Sequence, residues 1–399
     1  LTSQFLSRYK TIMQIKKSLR KIIYSNPLAN SLYKKYRIYR YDKVELQSVV
    51  IYANSFCNAE CSFCDVPKVS EEDGTASGIA RPLLGAPLYM STELFEQIIS
   101  DRLVNSGKPK FINFLMTEPL LSKNLAEMLR IAKNNGHTTK VTTNGYLLSK
   151  RAEEIASYVD YLQISIDALQ PLHDKIRGKG FFERAINGLK EIKKISDIHI
   201  EINITMAPIN YRESYELLIH LDTLGIVIDE VRFQLLDFVS ESMSNEHNLM
   251  HSIVPQSPTD SDEGLSFADI NPVEMLSILN KIRKFKAKNI NGIYIKPNLT
   301  KLSDIVKYFD VSGDVLPGHD VCAAPFNQLA VSTSGDVYWH MRCYNDYKLG
   351  NINKSSLYNI FHGFNAEAFR NEFRKSDCCM TACTRCCGLM NSEQFFRLL

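Results

Sequence analysis

The sequence predicts an α/β protein, a partial (β/α)6 TIM-like barrel followed by a small C-terminal domain that bound metal holds together. Three observations support this fold class. Six apolar, β-branched runs alternate with helical patterns between residues 47 and 300. Polar motifs follow these runs, as in barrels whose sites lie at the strand ends. After residue 300 the pattern changes, and seven of the ten cysteines occur there.

The first segment, residues 1–46, is predicted to be a basic helical extension. Its first 43 residues hold 11 of the 47 Lys and Arg residues and one of the 44 acids. Such a helix either packs on the barrel with a solvated basic face or contacts an anionic substrate or membrane surface. A nucleic-acid role is not supported, because 36 basic residues face 43 acids in the rest of the chain.

The barrel is assigned to residues 47–300. The predicted strands are 48–53, 110–115, 139–143, 162–166, 198–205 and 230–236. The predicted helices are 92–104, 123–134, 149–158, 182–194, 212–223 and 272–287. Strands that alternate with helices of this length indicate βαβ units and a parallel sheet. Right-handed crossovers then place all the loops that follow the strands on one face.

Two long segments interrupt the barrel, at residues 65–90 and 237–271. The first contains Gly and Pro, and the second is polar. Loops of this length are lids, binding loops or disordered segments. The sequence shows no secretory signal and no run of about 18 apolar residues, so we expect a cytoplasmic protein without a membrane span.

Residues 301–399 form the predicted C-terminal domain. Two short strand-like runs, 327–332 and 336–341, flank a hairpin turn at residues 333–335. Cysteines two to four residues apart dominate the remainder of this region. In a large chain without a secretory signal, this spacing indicates metal binding or redox chemistry rather than disulfides.

A cysteine triplet follows the first predicted strand. Cys57, Cys61 and Cys64 can ligate three irons of a cubane cluster and leave the fourth iron without a protein ligand. An open iron can bind a small molecule, whereas a structural site uses four protein ligands. A zinc site or buried thiols would use the same residue type.

The segment CNAECSFC resembles the CxxxCxxC signature of the radical SAM superfamily, with Phe63 at its usual aromatic position. This resemblance implies a TIM-like partial barrel, a [4Fe-4S] cluster and S-adenosylmethionine (SAM). It further implies that SAM is cleaved reductively to a 5′-deoxyadenosyl radical, which removes a hydrogen atom from the substrate. The cofactors supply that chemistry, and the protein positions them.

Motifs after the next strands extend the resemblance. Met116-Thr117-Glu118-Pro119 resembles the Gly-Gly-Glu-Pro segment of the family but lacks both glycines. Residues 142–145, 165–168 and 173–178 resemble the family's Thr-Asn-Gly turn, its ribose- and carboxylate-binding segment and a following segment with an arginine. The cofactor-binding residues that the resemblance implies are Thr117, Glu118, Asn144, Ser165, Asp167, Arg177 and Phe63.

The C-terminal cysteines resemble a SPASM or Twitch domain, which carries auxiliary [4Fe-4S] clusters. The family pattern places a cysteine five residues after the hairpin glycine, where this chain has His340. We favour one auxiliary cluster, with a second as the alternative. Its predicted ligands are Cys322, Cys343, Cys383 and Cys386. Ligation by His340, Cys378, Cys379 or Cys387 stays open, as does a structural zinc.

These features predict a radical SAM enzyme that oxidises, epimerises or otherwise modifies a sugar-like or other small molecule. Since no peptide-leader-binding module is evident before the barrel, a ribosomal peptide is the alternative substrate. A non-catalytic iron–sulfur electron carrier or sensor is the alternative of another class. The enzyme would receive electrons from an external donor such as flavodoxin or ferredoxin. No catalytic acid, base or hydrogen donor can be assigned.

Overall fold

The computed structural model describes residues 26–41, 45–64, 89–255, 267–310, 313, 315–316, 321–339 and 347–386. The strands are β1 Ser48–Ile51, β2 Phe111–Phe114, β3 Thr138–Thr143, β4 Tyr161–Ser165, β5 His199–Met206, β6 Ile228–Leu235, β7 Ile290–Lys296, β8 Gln328–Val331, β9 Asp336–Tyr338 and β10 Gly350–Asn351. The helices are α1 Pro27–Tyr41, α2 Thr92–Ser100, α3 Leu125–Asn134, α4 Leu148–Ile155, α5 Leu172–Arg177, α6 Phe181–Ile195, α7 Ser214–Thr223, α8 Glu241–Met250, α9 Pro272–Lys284, α10 Leu302–Phe309, α11 Ala324–Asn327, α12 Leu357–Phe361 and α13 Phe364–Lys375.

All ten described strands form one sheet, in the order β10-β9-β8-β1-β2-β3-β4-β5-β6-β7. The strands from β1 to β7 pair in parallel, which confirms the predicted α/β class. The six predicted strands correspond to β1–β6. The sheet continues beyond them with β7, which the sequence pattern did not identify because Asn291 and Gly292 are poor strand formers.

The helices between the strands bury one apolar stripe each against the sheet. In α3, the buried residues include Leu125, Met128, Leu129 and Ala132, at the three- and four-residue spacing of one helix face. Because a helix of this length is marginal alone, this packing is what stabilises it. The helices therefore fix the outer side of the sheet and leave its inner side free to form a lumen.

The turn before β7 depends on a buried carboxylate. Asp222, in α7, accepts hydrogen bonds from the backbone N–H groups of Lys288 (2.9 Å) and Asn289 (2.7 Å). A side-chain carboxylate thereby satisfies backbone donors that no strand partner reaches. This contact holds α7 and the start of β7 together on the outside of the barrel.

The C-terminal region continues the sheet of the barrel. Strand β8 pairs in parallel with β1, and β9 returns antiparallel to β8 through the predicted hairpin turn. Gly335 in this turn has φ +82°, and a Cβ there would meet Asn353 Nδ2 at 2.8 Å, so the turn requires glycine. The division of the chain at residue 300 stays a prediction.

Helix α1 is the described part of the basic N-terminal extension. It contacts the C-terminal region, since Arg37 donates to the carbonyl of Val321 at 3.3 Å and the ring of Tyr41 lies against Phe326. Its opposite face exposes Leu28 and further apolar side chains. Residues 1–25 and 42–44 lie outside the described residues, so the membrane or substrate contact of this segment stays a prediction.

The two long segments differ from one another. Residues 65–88 lie outside the described part of the chain. Part of the second segment is helical, because Ser240 accepts a hydrogen bond from the Met243 N–H at 3.2 Å and begins α8.

Among the helices that the structure describes, none has the length and apolar character needed to cross a bilayer.

Candidate iron–sulfur and cofactor site

A cavity of about 610 Å³ runs through the inside of the sheet. Its upper end lies where β2 to β6 finish, as expected for a barrel site. Residues from each of these strand ends line it. The wall of this cavity includes Cys57, Cys61 and Cys64. The triplet predicted from the sequence is therefore brought to one cavity.

The cysteine loop follows β1 directly and is held by its own backbone. The Cys64 N–H donates to the carbonyl of Cys61 at 3.1 Å, and the Ala59 N–H donates to Cys57 Sγ at 3.5 Å. Burial raises the pKa of Cys57 to about 11 and raises that of Cys61 as well. Such thiols are protonated at neutral pH unless a metal binds them and displaces the proton.

These observations agree with a cubane cluster at this loop. The donor set consists of three cysteine sulfurs, the ligand type that iron–sulfur clusters use. Cys61 is buried, whereas Cys57 and Cys64 are half-buried and face open space. The chain thus offers three sulfurs on one side and room for a small molecule on the other.

Arg177 lies beside the cysteine loop at the end of α5. Its Nε donates to Asp167 Oδ2 at 2.6 Å, and its carbonyl accepts from the Glu60 N–H at 3.3 Å. Burial alone would lower the pKa of Arg177, but the charges of Asp167 and Cys61 outweigh it and raise that pKa. A permanent positive charge is therefore fixed next to the thiols.

Asp167 supports Arg177 and does not line the described wall of the cavity. Its carboxylate is fully buried, and its second oxygen accepts from the Thr205 N–H at 2.9 Å. The backbone N–H of Asp167 donates to His173 Nδ1 at 3.1 Å. In the structure the carboxylate of Asp167 holds the side chain of Arg177. Its predicted part in cofactor binding stays a prediction.

Glu118 joins the ends of β2 and β3. Its carboxylate accepts hydrogen bonds from Thr143 Oγ1 and the Asn144 N–H, both at 2.7 Å, and from the Leu120 N–H at 3.1 Å. Complete burial raises the pKa of this carboxyl. Glu118 lines the cavity and serves as a clamp between two strand-end loops, and its predicted part in cofactor binding stays a prediction.

Met116 precedes this clamp with φ +85°, a conformation that suits glycine. It stands where the related motif has its first glycine. Its side chain packs beside Val50 and Tyr52. The departure from the family motif thus keeps the backbone shape of glycine at a cost in strain.

Asn144 connects the third strand end to the cysteine loop. Its Nδ2 donates to Asn58 Oδ1 at 2.8 Å and lies 3.9 Å from Cys57 Sγ. The following Gly145 has φ +78°, and a Cβ there would come within 2.9 Å of Ala185. The Asn-Gly pair therefore lets an amide reach the first cysteine.

The other predicted cofactor residues also lie on the cavity wall. Thr117 donates from Oγ1 to the carbonyl of Asn54 at 3.2 Å, and Ser165 ends β4. Phe63 packs against a small apolar cluster that includes Ile176. Asn54 was not identified from the sequence, yet its Nδ2 donates to the carbonyl of Glu118 at 2.7 Å and ties the cysteine loop to the clamp.

The described C-terminal cysteines form a second group, and all of them are buried. They are Cys322, Cys378, Cys379, Cys383 and Cys386. Burial raises the pKa of Cys322, and the neighbouring thiols, Cys383 first, raise it further. The Cys322 N–H also donates to the carbonyl of Cys378 at 2.9 Å.

The predicted auxiliary ligands are therefore described only in part. The structure brings Cys322 and Cys383 together and adds Cys378 and Cys379, which the prediction left open. Cys343, His340 and Cys387 lie outside the described residues. The complete ligand set stays a prediction.

A buried arginine holds the turn between Cys383 and Cys386. Arg385 is fully buried and donates to the carbonyls of Tyr308 and Lys307, each at 2.6 Å, at the end of α10. A cation at the C-terminal end of a helix is favourable. This contact could not be predicted, because an arginine between two cysteines is usually expected at the surface.

Charged side chains from β3, β5 and β6 occupy the lower part of the cavity. Glu201 accepts from Lys140 Nζ at 2.5 Å and from Arg232 Nη2 at 3.0 Å. Arg232 also donates to Glu230, and His199 lies 3.7 Å from the same carboxylate. These residues were not predicted to line a site, because the pattern that marks a strand does not show which of its two faces points inward.

Two stretches of the chain match known families. Residues 51–221 match the family described as Radical SAM superfamily. Residues 322–387 match the SPASM family, described as an iron-sulfur cluster-binding domain. The first stretch contains the cysteine triplet, and the second contains the buried C-terminal cysteines.

Curated relatives match over part of their length. The chain is 28% identical over 192 residues to "Probable GTP 3',8-cyclase" of Methanocaldococcus jannaschii, covering 47% of this chain and 59% of the relative. It is 30% identical over 129 residues to "Fe-coproporphyrin III synthase" of Methanosarcina barkeri, covering 31% of each chain. The chain thus spans less than two thirds of the length of these relatives.

Solved structures share the fold over most of the chain. The Streptococcus suis protein SuiB bound to S-adenosylmethionine has a TM-score of 0.58 at 16% identity, covering 94% of this chain and 83% of SuiB. Native anSMEcpe with bound AdoMet has a TM-score of 0.54 at 16% identity, covering 81% of this chain and 82% of that chain. At this identity the likeness concerns the fold.

The two family matches agree with the site described above. The triplet lies on a cavity wall beside a fixed arginine, and a second group of cysteines is buried in the matched C-terminal stretch. The two domains imply SAM and [4Fe-4S] clusters as cofactors. The chain belongs to the radical SAM superfamily and carries a C-terminal SPASM domain.

Proposed function

We propose that this protein is an enzyme that cleaves SAM reductively and removes a hydrogen atom from a small polar substrate. The observation that carries the proposal is the placement of Cys57, Cys61 and Cys64 on one cavity with Arg177. When bound, the cluster and SAM supply the radical chemistry. The protein's own contribution is to hold, orient and shield these groups.

The residues around the cavity have separate tasks in this proposal. Arg177, fixed by Asp167, offers a cation to the carboxylate of SAM. Asn144 and Glu118 hold the cysteine loop and the ends of two strands in place by hydrogen bonds. Phe63, which is 5% exposed, closes the wall behind the third cysteine and excludes water there.

The reaction we propose is an oxidation or an epimerisation, with electrons from an external donor such as flavodoxin or ferredoxin. The buried C-terminal cysteines support this choice, because a second cluster can accept an electron from a substrate radical or return one to it. The named relatives are a cyclase and a synthase, so other outcomes of the same radical step are compatible with the fold.

A ribosomal peptide is the second candidate substrate. It is supported by the fold likeness to SuiB, which has been solved bound to its precursor peptide SuiA, with a TM-score of 0.57. The small-molecule candidate is favoured by the lumen, whose wall carries charged and polar side chains from four adjacent strands. A cavity of about 610 Å³ that also holds SAM leaves room for a compact substrate.

The test is SAM cleavage by the reconstituted protein. The chain is loaded with iron and sulfide without oxygen, reduced with dithionite and supplied with SAM, and 5′-deoxyadenosine is measured. We expect product from the wild type and none from Cys57→Ala. Ser62→Ala is the matched control, because Ser62 lies in the same loop and its hydroxyl has no hydrogen-bond partner among the described residues.

The same assay separates the enzyme from an iron–sulfur electron carrier or sensor. A carrier would hold intact clusters and change their oxidation state with dithionite, but it would form no 5′-deoxyadenosine. Absence of product from a chain with full iron content, with dithionite and with flavodoxin, would refute the proposed activity. Product from Cys57→Ala would refute the ligand assignment.

A further inference from the structure

The inner face of the sheet is polar where a barrel core is usually apolar. On β5 alone, the residues that line the cavity are His199, Glu201, Asn203 and Thr205. At about 3.3 Å per residue, these positions span roughly 20 Å along the strand. Barrel interiors are normally filled by branched apolar side chains. This lumen is therefore built to receive a ligand below the cysteine loop.

The charges in this lumen form one network across three strands. Glu201 is 2% exposed and accepts from Lys140 (2.5 Å), Arg232 (3.0 Å) and Gln163 Nε2 (2.9 Å). Arg232 reaches on to Glu230. A buried ion network is seldom more stabilising than apolar packing of the same volume, so stability alone does not explain it.

The lining of the cavity is balanced in charge. Among the described residues, four cations and four carboxylates line it: Lys140, Arg177, Arg232, Lys296, Glu118, Glu201, Glu230 and Asp237. A polyphosphate needs cations whose charge is not already compensated, and a polyamine needs free carboxylates. The balance therefore disfavours both kinds of ligand.

The facing wall differs from the network. Among the described residues, it carries no charged group from β1, β2, α11 or β8, and its lining combines the apolar or small Val50, Leu115, Ala323 and Ala324 with the amides of Asn113, Asn327 and Gln328. A ligand between the two walls meets charged groups on one side, and uncharged amides and apolar atoms on the other. A ring with hydroxyl groups at its edge and C–H bonds on its face presents this combination.

We propose that the lumen binds a small, uncharged, hydroxyl-rich molecule of the sugar or cyclitol class, held by the Glu201 network. This inference rests on the proposed function and specifies its substrate class. A hydroxyl both donates and accepts a hydrogen bond, so it can join a carboxylate and a cation that remain paired. The C–H bonds of the ring face the wall that leads up to the cysteine loop.

Binding is tested with the full chain, loaded with clusters and SAM, by saturation-transfer NMR. The probes are myo-inositol, D-glucose and GTP. We expect transfer of saturation to the protons of at least one of the two polyols and none to GTP. Transfer to GTP, or the absence of transfer to both polyols, would overturn the proposal.

A variant tests whether charge balance decides the selectivity. Glu201→Gln keeps the shape of the side chain but leaves Lys140 and Arg232 without a shared carboxylate. We expect polyol binding about tenfold weaker, the effect of losing a hydrogen bond to a charged group. We also expect inorganic pyrophosphate to raise the melting temperature of this variant but not of the wild type.

Two controls distinguish recognition from a general loss of structure. Asp222→Asn removes a buried carboxylate outside the cavity and should leave both probes unchanged. Lys140→Gln combined with Glu201→Gln restores the balance and should remove the pyrophosphate effect. A pyrophosphate response that persists in this double variant, or never appears in Glu201→Gln, would contradict the role of the network.

The binding readout is independent of turnover. If the wild type forms no 5′-deoxyadenosine but binds a polyol through Glu201, the proposed activity fails and the ligand class stands. If 5′-deoxyadenosine forms and no polyol binds, the activity stands and the ligand class fails.

Discussion

The two groups of cysteines differ in what surrounds their thiols. Cys57 and Cys64 are half-buried and line the large cavity, whereas the described C-terminal cysteines are buried and lie outside its lining. An open group leaves room for a small molecule beside its sulfurs, whereas the described part of the second group does not. This difference is what we expect if the first group holds the cluster that meets SAM and the second holds an auxiliary cluster.

The largest expected effect is a difference in 5′-deoxyadenosine formation between variants of the two cysteine groups. Cys57→Ala should abolish 5′-deoxyadenosine, because the open cluster loses one of its three ligands. Cys322→Ala should still form 5′-deoxyadenosine, while its iron content falls by about four per chain, the content of one cubane. Iron analysis and product chromatography measure both. If Cys322→Ala also abolishes product while the first cluster remains intact, the comparison is wrong.

Arg385 should matter for stability more than any exposed arginine. Arg385→Met removes the hydrogen bonds that a buried guanidinium donates to the carbonyls of Lys307 and Tyr308. We expect a loss of about 3 kcal/mol in unfolding free energy, measured in urea. Arg130→Met, an exposed residue paired with Glu127, is the control and should cost less than about 1 kcal/mol. Equal losses in the two variants would argue against this role.

Lowering the pH should reduce the stability of the protein through the buried His173, which accepts a hydrogen bond from Asp167 beside the cysteine triplet. Burial lowers the pKa of His173 to about 4, from 6.5 for the unfolded residue. Between these values the unfolded chain binds more protons, so stability falls as the pH drops from about 6.5 to about 4. The loss should reach about 3 kcal/mol and be reduced in His173→Gln. Urea melts at several pH values test this, and parallel profiles for both proteins would contradict it.

The smallest effect concerns the strained residue beside the cysteine loop. Met116→Gly relieves a φ of +85° but loses a half-buried side chain, so we expect a change of about 1 kcal/mol or less in either direction. Leu115→Gly loses a neighbouring side chain without relief of strain and should cost more. Urea melts compare the two. If both variants lose the same stability, Met116 stores no strain.

The fold and the cysteine triplet that lines the cavity could be predicted from the sequence, because both depend on local patterns. β-Branched runs identify β1 to β6, and the spacing of Cys57, Cys61 and Cys64 is fixed within one loop. β7 was missed because Asn291 and Gly292 interrupt its pattern. Local signals thus sufficed wherever one segment defines the feature.

Features that join distant segments could not be predicted in this way. The position of Asp167 behind Arg177 depends on the packing of α5, and the contact of Arg385 with α10 joins residues 77 apart. Lys140 and Glu201 point inward only in one strand register, because a shift of one residue would move them to the other face of the sheet. The alternation of residues along a strand does not decide between the two. These contacts required the assembled sheet.

The pairing of β8 with β1 has a consequence for dissecting the molecule. Strand β1 leads into the cysteine loop and is hydrogen-bonded to β2 on one side and to β8 on the other. Removal of residues 301–399 would turn β1 into an edge strand with a free row of N–H and C=O groups and the buried Val49 and Ile51 near solvent. A truncated barrel should therefore aggregate through the strand that leads to its cluster loop, and the C-terminal region acts as a cover as well as a carrier of cysteines.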